Sequence, residues 1–465
     1  MTPLEPNTQE AEILFTGLNT PPATPASSLC QELLDKIEAR TAIVGVAGLG
    51  YVGLPFSTAA ARAGFSVIGV EPNAEKAALV NAGTSYIGDV ATEELAPFVK
   101  SGKIVADDNF DRVAEMDVII ICVPTPLTTN LTPDLSYVVA VAESCGKKLR
   151  KGQMIALEST TFPGTTEEVL APILEKASGL TCGTDFFLVY SPERVDPGNQ
   201  TYDTMNTNKV MGASDDDSRR LGLALYSAIM DTVVTVSSCS VAEMSKIFEN
   251  TFRAVNIALV NELTLLCDRM GVSIWEVLDA ANTKPYGIMP FYPGPGVGGH
   301  CIPLDPHYLE WKAKQYDFVT RFISLAGDVN RSMPAFVRSK CVRLLSNKGL
   351  ALSKAKVLLI GVAYKSNVDD WRESPAIDVW NLLEERGANV RFTDPHVESA
   401  IVNDRQRKSV GYTAKDLAWA DLVVVTTWHG DLDPAFMMEH ADLILDTRGA
   451  TRHCEVPAGC ARVLL

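Results

Sequence analysis

Cys301 lies in the loop Phe291 to Pro306, FYPGPGVGGHCIPLDP, where four glycines and four prolines in sixteen residues exclude helix and strand. Such a backbone is shaped to come close to something. A cysteine is more often a small buried hydrophobe than a reagent. This one stands beside His300, with Asp305 four residues on, a polar setting that favours the thiolate and so a nucleophile. His300, Cys301 and His307 match no common zinc spacing, so no metal is read here. A second constellation is Gly48-Leu49-Gly50-Tyr51-Val52-Gly53, a G-x-G-x-x-G turn. Without side chains at Gly48 and Gly50, backbone N–H groups can approach a pyrophosphate at the positive end of a helix, and Gly53 permits close helix–strand packing. Glu71, 18 residues after Gly53, ends the next apolar run. A carboxylate there accepts both adenosine ribose hydroxyls and repels a 2′-phosphate, which favours NAD over NADP; the bland alternative is a solvated strand end. Lys246 and Asn250, four apart in a helical pattern, project from one face, and Arg253 is read as sharing it.

The elements that must position these residues follow from periodicity. Thr41 to Ala47 is a short β-branched run, followed by the glycine turn, a small-residue helix to Ala63, the stop Gly64 and a strand Phe65 to Val70: a β-α-β unit. Val118 to Val123, Met154 to Leu157 and Phe186 to Tyr190 continue a mostly parallel sheet. Ser240 to Met270 contains no Gly or Pro and reads as one long helix; Arg321 to Lys348 reads as another, stopped by Gly349. Lys356 to Val362 opens a second strand-turn-helix-strand series, whose turn Gly361 to Lys365 lacks the dinucleotide fingerprint. The expected fold is α/β, with two Rossmann-like doubly wound domains joined by a central helical region. The expected bounds are a mobile Pro/Thr/Ser-rich arm at 1–40, then 41–235, the helical middle at 236–349, and 350–465.

Composition excludes other classes. Across 465 residues, 46% hydrophobic and 21% charged, 41 basic against 57 acidic side chains give a net charge of −16, which argues against a nucleic-acid partner. Apolar runs stop short of the ~18 residues that span a bilayer, so no membrane insertion is expected. The first residues show no basic stretch ahead of an apolar core, so no signal peptide is read. Ten cysteines without a Cys-x-x-Cys pair suggest reduced thiols in a cytoplasm.

Several motifs occur in order: Gly45 to Pro55 around the glycine turn, Val123-Pro124-Thr125-Pro126, Glu158-Ser159-Thr160-Thr161-Phe162-Pro163-Gly164-Thr165, Ser191-Pro192-Glu193-Arg194, Gly298-Gly299-His300-Cys301 and Arg372-Glu373-Ser374-Pro375. Over residues 41 to about 450 the chain resembles the UDP-glucose/GDP-mannose dehydrogenase family. Through SPERVDPGN, KPYGIMPFYPGPGVGGHCIPLDP and AYKSNVDDWRESP it looks most like the UDP-N-acetylglucosamine 6-dehydrogenases, and UDP-N-acetylmannosamine dehydrogenases share several of these.

The resemblance implies a four-electron oxidation of a sugar C6 alcohol to a carboxylate with two NAD⁺ in turn, in surface polysaccharide precursor synthesis. It makes Cys301 the nucleophile and pairs Asp305 with Lys246 on the hydrolytic water or the proton transfers. It aims Lys246 and Asn250 at the C6 oxygen, and gives Thr160 and Glu193 to water positioning or acid/base work. It assigns NAD to Gly48, Gly50, Tyr51, Val52, Gly53, Glu71, Lys76, Pro124 and Thr125, with Lys365 and Arg372 toward cofactor or nucleotide phosphate. The UDP-sugar falls to Arg253, Phe291, Tyr292, Gly294, Gly298 and Gly299, with UDP on the C-terminal domain and a homodimer formed through the helical core. The alternatives are a UDP-N-acetylmannosamine or UDP-glucose 6-dehydrogenase. More remote is a noncatalytic NAD-binding regulator, which should lack both the nucleophile and the helix lysine.

Overall fold

Strand β1 (Ile43–Ala47) is a continuous apolar run because both of its faces are covered, the pattern that parallel strands require. The computed structural model describes residues 25–195, 201–299 and 301–465. The chain divides into two bodies, one up to Phe248 and one from Glu249.

In the first body, β1 is joined by β2 (Ser66–Val70), β3 (Ile104–Asp107), β4 (Val118–Ile121), β5 (Met154–Leu157), β6 (Phe187–Tyr190), β7 (Lys209–Ala213) and β8 (Val233–Thr235), in the sheet order β3-β2-β1-β4-β5-β6-β7-β8. All neighbours are parallel except β6 and β7. The chain order reverses between β1 and β4, and the loops leaving those two strands flank the crevice where doubly wound sheets bind ligands. The helix Gly53–Arg62 is rich in Ala, Ser and Thr, so it lies close on the sheet and is buried along most of its length.

The expected arm is shorter than residues 1–40. Residues 1–24 lie outside the described residues, but Ser28–Glu38 is a helix, capped by Ser27, whose oxygen accepts the Cys30 N–H. Its Cys30, Leu33 and Ile37 enter the core of the first body, and Lys36 pairs with Asp117 at 2.7 Å. An apolar stripe at helical spacing docks what the Pro/Thr/Ser content suggested was mobile.

The long helix Cys239–Met270 starts in the first body and ends in the second. The second body adds the helices Ile274–Ala281, Asp305–Ala313 and Arg321–Asn347, the last stopped near Gly349 at φ +74°. Its sheet is parallel throughout, in the order β10-β9-β13-β14-β15, from β9 (Lys356–Ile360), β10 (Asn389–Thr393), β13 (Leu422–Val425), β14 (Leu443–Asp446) and β15 (Ala461–Leu464). A hairpin of β11 (Ser399–Val402) and β12 (Arg405–Lys408) stands outside it. Among the described residues no helix is long and apolar enough to cross a membrane.

Candidate active site

Each body brings part of the expected residue set together. In the first, Gly48 takes φ +92°, and a Cβ on it would lie 2.5 Å from the Cys122 carbonyl oxygen. A Cβ on Gly53 would lie 1.8 Å from the Gly48 oxygen, whereas one on Gly50 would meet nothing within 4 Å. Two glycines thus close the turn on itself and the middle one keeps its outer side clear. No side chain caps the helix that begins at Gly53, which leaves its first N–H groups and the positive end of its dipole to an anion. These features fit a pyrophosphate.

Glu71 sits at the end of β2, where Oε2 accepts the Leu49 N–H at 3.3 Å and Oε1 the Asn73 N–H at 3.1 Å. The carboxylate is thereby fixed beside the turn, where a ribose would meet it. Lys76 is exposed and lies over the ring of Tyr86, whose hydroxyl donates to the Leu49 carbonyl at 2.6 Å. Tyr51 and Pro124 are exposed and Val52 half-buried. Thr125 donates to the Thr160 carbonyl at 2.7 Å, and Ser159 bonds both the N–H and the carbonyl of Val123, so the loops after β4 and β5 are laced together.

Glu193 follows β6. Its Oε1 accepts the Val195 N–H at 2.7 Å and the Arg194 N–H at 2.8 Å, and its Oε2 lies 3.5 Å from the buried ammonium of Lys209. Lys209 also reaches Glu158 at 3.0 Å, and Tyr226 donates to the other oxygen of Glu158 at 2.7 Å. Burial pushes the Glu193 carboxyl upward, but the charge of Lys209, the two N–H groups and the charge of Lys246 outweigh it and hold its pKa below the ordinary value. For Glu158 burial wins, and its pKa lies above the ordinary value. Sequence reasoning assigned no role to Glu158, Lys209 or Tyr226. The available signal was a charged residue at the end of one buried strand, MIALE, and at the start of another, KVMGA.

Lys246 is buried in the long helix. One turn earlier Glu243, also unassigned from sequence, accepts the N–H groups of Gly164 at 2.5 Å and Thr166 at 2.8 Å and the Thr166 hydroxyl at 2.7 Å. These groups open the π-helical turn Thr165–Leu170, so the helix carrying Lys246 is tied to the chain that follows Thr160.

In the second body, Asn250 donates to Oδ2 of the buried Asp305 at 2.6 Å. Asp305 begins the helix Asp305–Ala313, and the Cys301 carbonyl accepts its N–H at 2.8 Å. Cys301 is the exposed cysteine of the ten; the others are buried or half-buried. His300 lies outside the described residues, as do residues 196–200 of the SPERVDPGN segment. Close approach accounts for the loop glycines. A Cβ on Gly298 would lie 2.8 Å from the Glu373 carbonyl oxygen, one on Gly299 2.9 Å from the Tyr364 ring, and one on Gly294 2.6 Å from the Arg448 guanidinium. Phe291 packs edge-on against Phe252, and Tyr292 stacks on Trp275, with ring centroids 5.9 Å apart in both pairs.

Two of the expected arginines stand at the surface. Arg253, seven residues after Lys246, lies close to its angle on the helix but is exposed, whereas Lys246, Asn250, Ala254 and Ala258 are buried. Arg372, expected to reach toward phosphate, is exposed and paired. Its Nε and Nη2 grip Asp370 at 2.9 and 2.7 Å, the surface-pair arrangement, with Asp370 rather than Asp369 as partner. Lys365, seven residues before Arg372, is half-buried. The turn after β9 is held from within. Asp394 accepts the N–H groups of Val362 and Ala363 at 2.8 and 3.1 Å, and His429 donates from Nε2 at 3.1 Å while its Nδ1 accepts the Asn367 N–H.

The first sheet, its switch-point turn and its strand-end carboxylate define a dinucleotide-binding protein. The family model of the UDP-glucose/GDP-mannose dehydrogenases matches in three parts: the NAD binding domain over residues 42–230, the central domain over 240–332 and the UDP binding domain over 358–453. The chain belongs to this family. It is 38% identical to a UDP-N-acetyl-D-glucosamine 6-dehydrogenase of Pseudomonas aeruginosa over 77% of this chain and 83% of that one. It is 35% identical to a UDP-N-acetyl-D-mannosamine dehydrogenase of Pyrococcus horikoshii over 83% and 89%. The solved structure of a UDP-D-ManNAc dehydrogenase from Pyrococcus horikoshii matches with a TM-score of 0.82 at 31% identity, covering 91% of this chain and 98% of that one. The chain is a nucleotide-sugar dehydrogenase that uses NAD and takes a UDP-sugar.

Proposed function

We propose that the substrate is UDP-N-acetylglucosamine and that its C6 alcohol is oxidised by four electrons to the uronic acid through Cys301. The observation that carries the covalent route is the exposed thiol four residues ahead of a buried carboxylate held by Asn250. Bound NAD⁺ supplies the hydride acceptor for each of the two oxidations. In the first, the alcohol loses a proton and a hydride and becomes the aldehyde, while Lys246 and Asn250 stabilise negative charge on O6. The Cys301 thiolate then adds to the aldehyde carbon, forming a C–S bond and a thiohemiacetal. Loss of a second hydride and the hydroxyl proton leaves a thioester. Water, placed by Thr160 and Glu193 and deprotonated with help from Asp305, breaks the C–S bond, releases the acid and restores the thiol. Glu71 orients the adenosine ribose, and the turn Gly48 to Gly53 holds the pyrophosphate.

The 38% relative supports the glucosamine epimer; the 35% relative, which covers more of the chain, favours UDP-N-acetylmannosamine as the second reading. We read the molecule as a homodimer. Met244, Phe248, Phe252, Leu259, Leu263 and Leu266 recur at helical spacing along the long helix and are all exposed, a stripe that a second copy would cover. The test is kcat/KM over UDP-GlcNAc, UDP-GalNAc, UDP-ManNAc, UDP-glucose and GDP-mannose, with NADH counted per sugar. UDP-GlcNAc leads and two NADH form per sugar. A lead for UDP-ManNAc overturns the epimer, and one NADH per sugar overturns the covalent route.

A further inference from the structure

Glu193 shares with Thr160 the placing of water in the proposed function, and it is held by a side chain that this function leaves unused. Lys209 opens β7 with its ammonium buried, 3.5 Å from Glu193 and 3.0 Å from Glu158. An unpaired buried ammonium would cost several kcal/mol, so the lysine needs a carboxylate partner. A buried pair of Lys209 with Glu158 alone would satisfy the charge count. Instead Tyr226 takes the far oxygen of Glu158 and its ring lies 5.5 Å from the Lys209 ammonium, so the near oxygen of Glu158 fixes the lysine within reach of Glu193. The Glu193 oxygen that faces Lys209 is not the one held by the Arg194 and Val195 N–H groups.

We infer that Lys209, braced by Glu158 and Tyr226, is a positioning residue that holds the Glu193 carboxylate in place and sets the pH at which it works. The inference rests on the reading of Glu193 as an acid/base or water-placing group. The charged and titratable groups around Glu193 come from five elements: Lys209 on β7, Glu158 after β5, Cys122 after β4, Tyr226 on the helix Asp216–Ile229 and Lys246 on the long helix. Lys209 and Lys246 favour the ionised carboxylate, and Glu158 disfavours it. Burial holds Cys122 and Tyr226 as neutral thiol and phenol. The signs of the two nearest charges are therefore opposite, and so are the effects of removing them.

The experiment is the pH profile of kcat and of kcat/KM for NADH formation in the full chain, for the parent, Lys209→Met, Lys209→Arg, Glu158→Gln and Glu193→Gln, with KM for NAD⁺ and a thermal melt of each. Lys209→Met moves the acid limb up by about one pH unit or more, the size expected for losing an opposite charge within this distance. Glu158→Gln moves it down, Lys209→Arg restores it, and KM for NAD⁺ changes less than about threefold because the glycine turn is untouched. If Lys209→Met does not fold, Lys209→Met combined with Glu158→Gln leaves no unpaired Glu158 carboxylate and raises the limb by less than Lys209→Met alone would, because Lys209 is the larger of the two opposed influences on Glu193. A merely structural lysine would lower the melting temperature and leave the limb in place, which overturns the inference. A limb that survives in Glu193→Gln overturns the role given to Glu193 and, with it, the inference. A limb lost in Glu193→Gln but unmoved in Lys209→Met overturns the inference alone.

Discussion

Serine at position 301 keeps the shape of the nucleophile and removes its acidity, so it separates a covalent route from an enzyme that stops at the aldehyde. The hydroxyl is a far poorer nucleophile at neutral pH, and an oxygen ester resists hydrolysis better than a thioester. Steady-state kcat in Cys301→Ser falls by ~10³-fold or more, and intact-protein mass spectrometry after mixing with NAD⁺ and UDP-GlcNAc shows any sugar retained as an ester. Full turnover with two NADH per sugar would return Cys301 to packing. At this scale the sequence was most legible where a motif meets a backbone constraint: Gly48, Gly53 and Glu71 could be placed because a strand, a turn and a helix start fix them. It was least legible for Glu158, Lys209 and Glu243, whose partners lie 51 residues away for the first two and 77 for the Thr166 that Glu243 reaches. Residues that act through such distant pairs leave no local spacing to read.

The tie between the long helix and the π-helical turn acts at the scale of elements. Glu243 satisfies two backbone donors and a hydroxyl that would otherwise be buried without acceptors. In Glu243→Gln the amide nitrogen must face an N–H donor, so the variant loses ~1–3 kcal/mol of stability. Burial is the larger influence on this carboxyl and raises its pKa to about 7 against the hydrogen bonds that lower it. A raised acid binds its proton more tightly folded than unfolded, so its contribution to stability is present at low pH and is lost as pH rises through about 7. The gap in melting temperature between parent and variant is therefore wider at pH 5 than at pH 8; a gap that widens with pH would contradict this account. Elements with a clear period were legible, including the long helix and the strands β1, β2 and β5. The helix Ser28–Glu38 was not, because the proline-rich composition ahead of it masked a stripe of Cys30, Leu33 and Ile37. Strand β8 has only three residues, β3 ends in an aspartate, and β7 opens on a lysine where an apolar residue is usual, so none shows a clean apolar run.

For the molecule as a whole, two nucleotide-type folds could be read from two strand-turn-helix series, while the strand order could not, since no local pattern records which strand neighbours which. The exposed stripe on the long helix gives the assembly its test. Phe248→Glu combined with Leu259→Glu converts a dimer in sedimentation equilibrium to single chains of 50.3 kDa. A parent that is already monomeric would remove the homodimer from the proposal. The two turns of these folds also differ in how freely they can be redesigned. Glu71 is half-buried at a strand end and bonds two backbone groups, so it can be exchanged one residue at a time to retune cofactor choice. Asp394 and His429 are fully buried and serve each other, the Val362 and Ala363 N–H groups and the Asn367 N–H. Lengthening Asp394 to Glu drives a carboxylate into the imidazole, and removing His429 strands both a charge and an N–H. Any mutational path that would give the second turn a new ligand therefore crosses an unstable intermediate, which makes the division of labour between the folds hard to reverse by single steps.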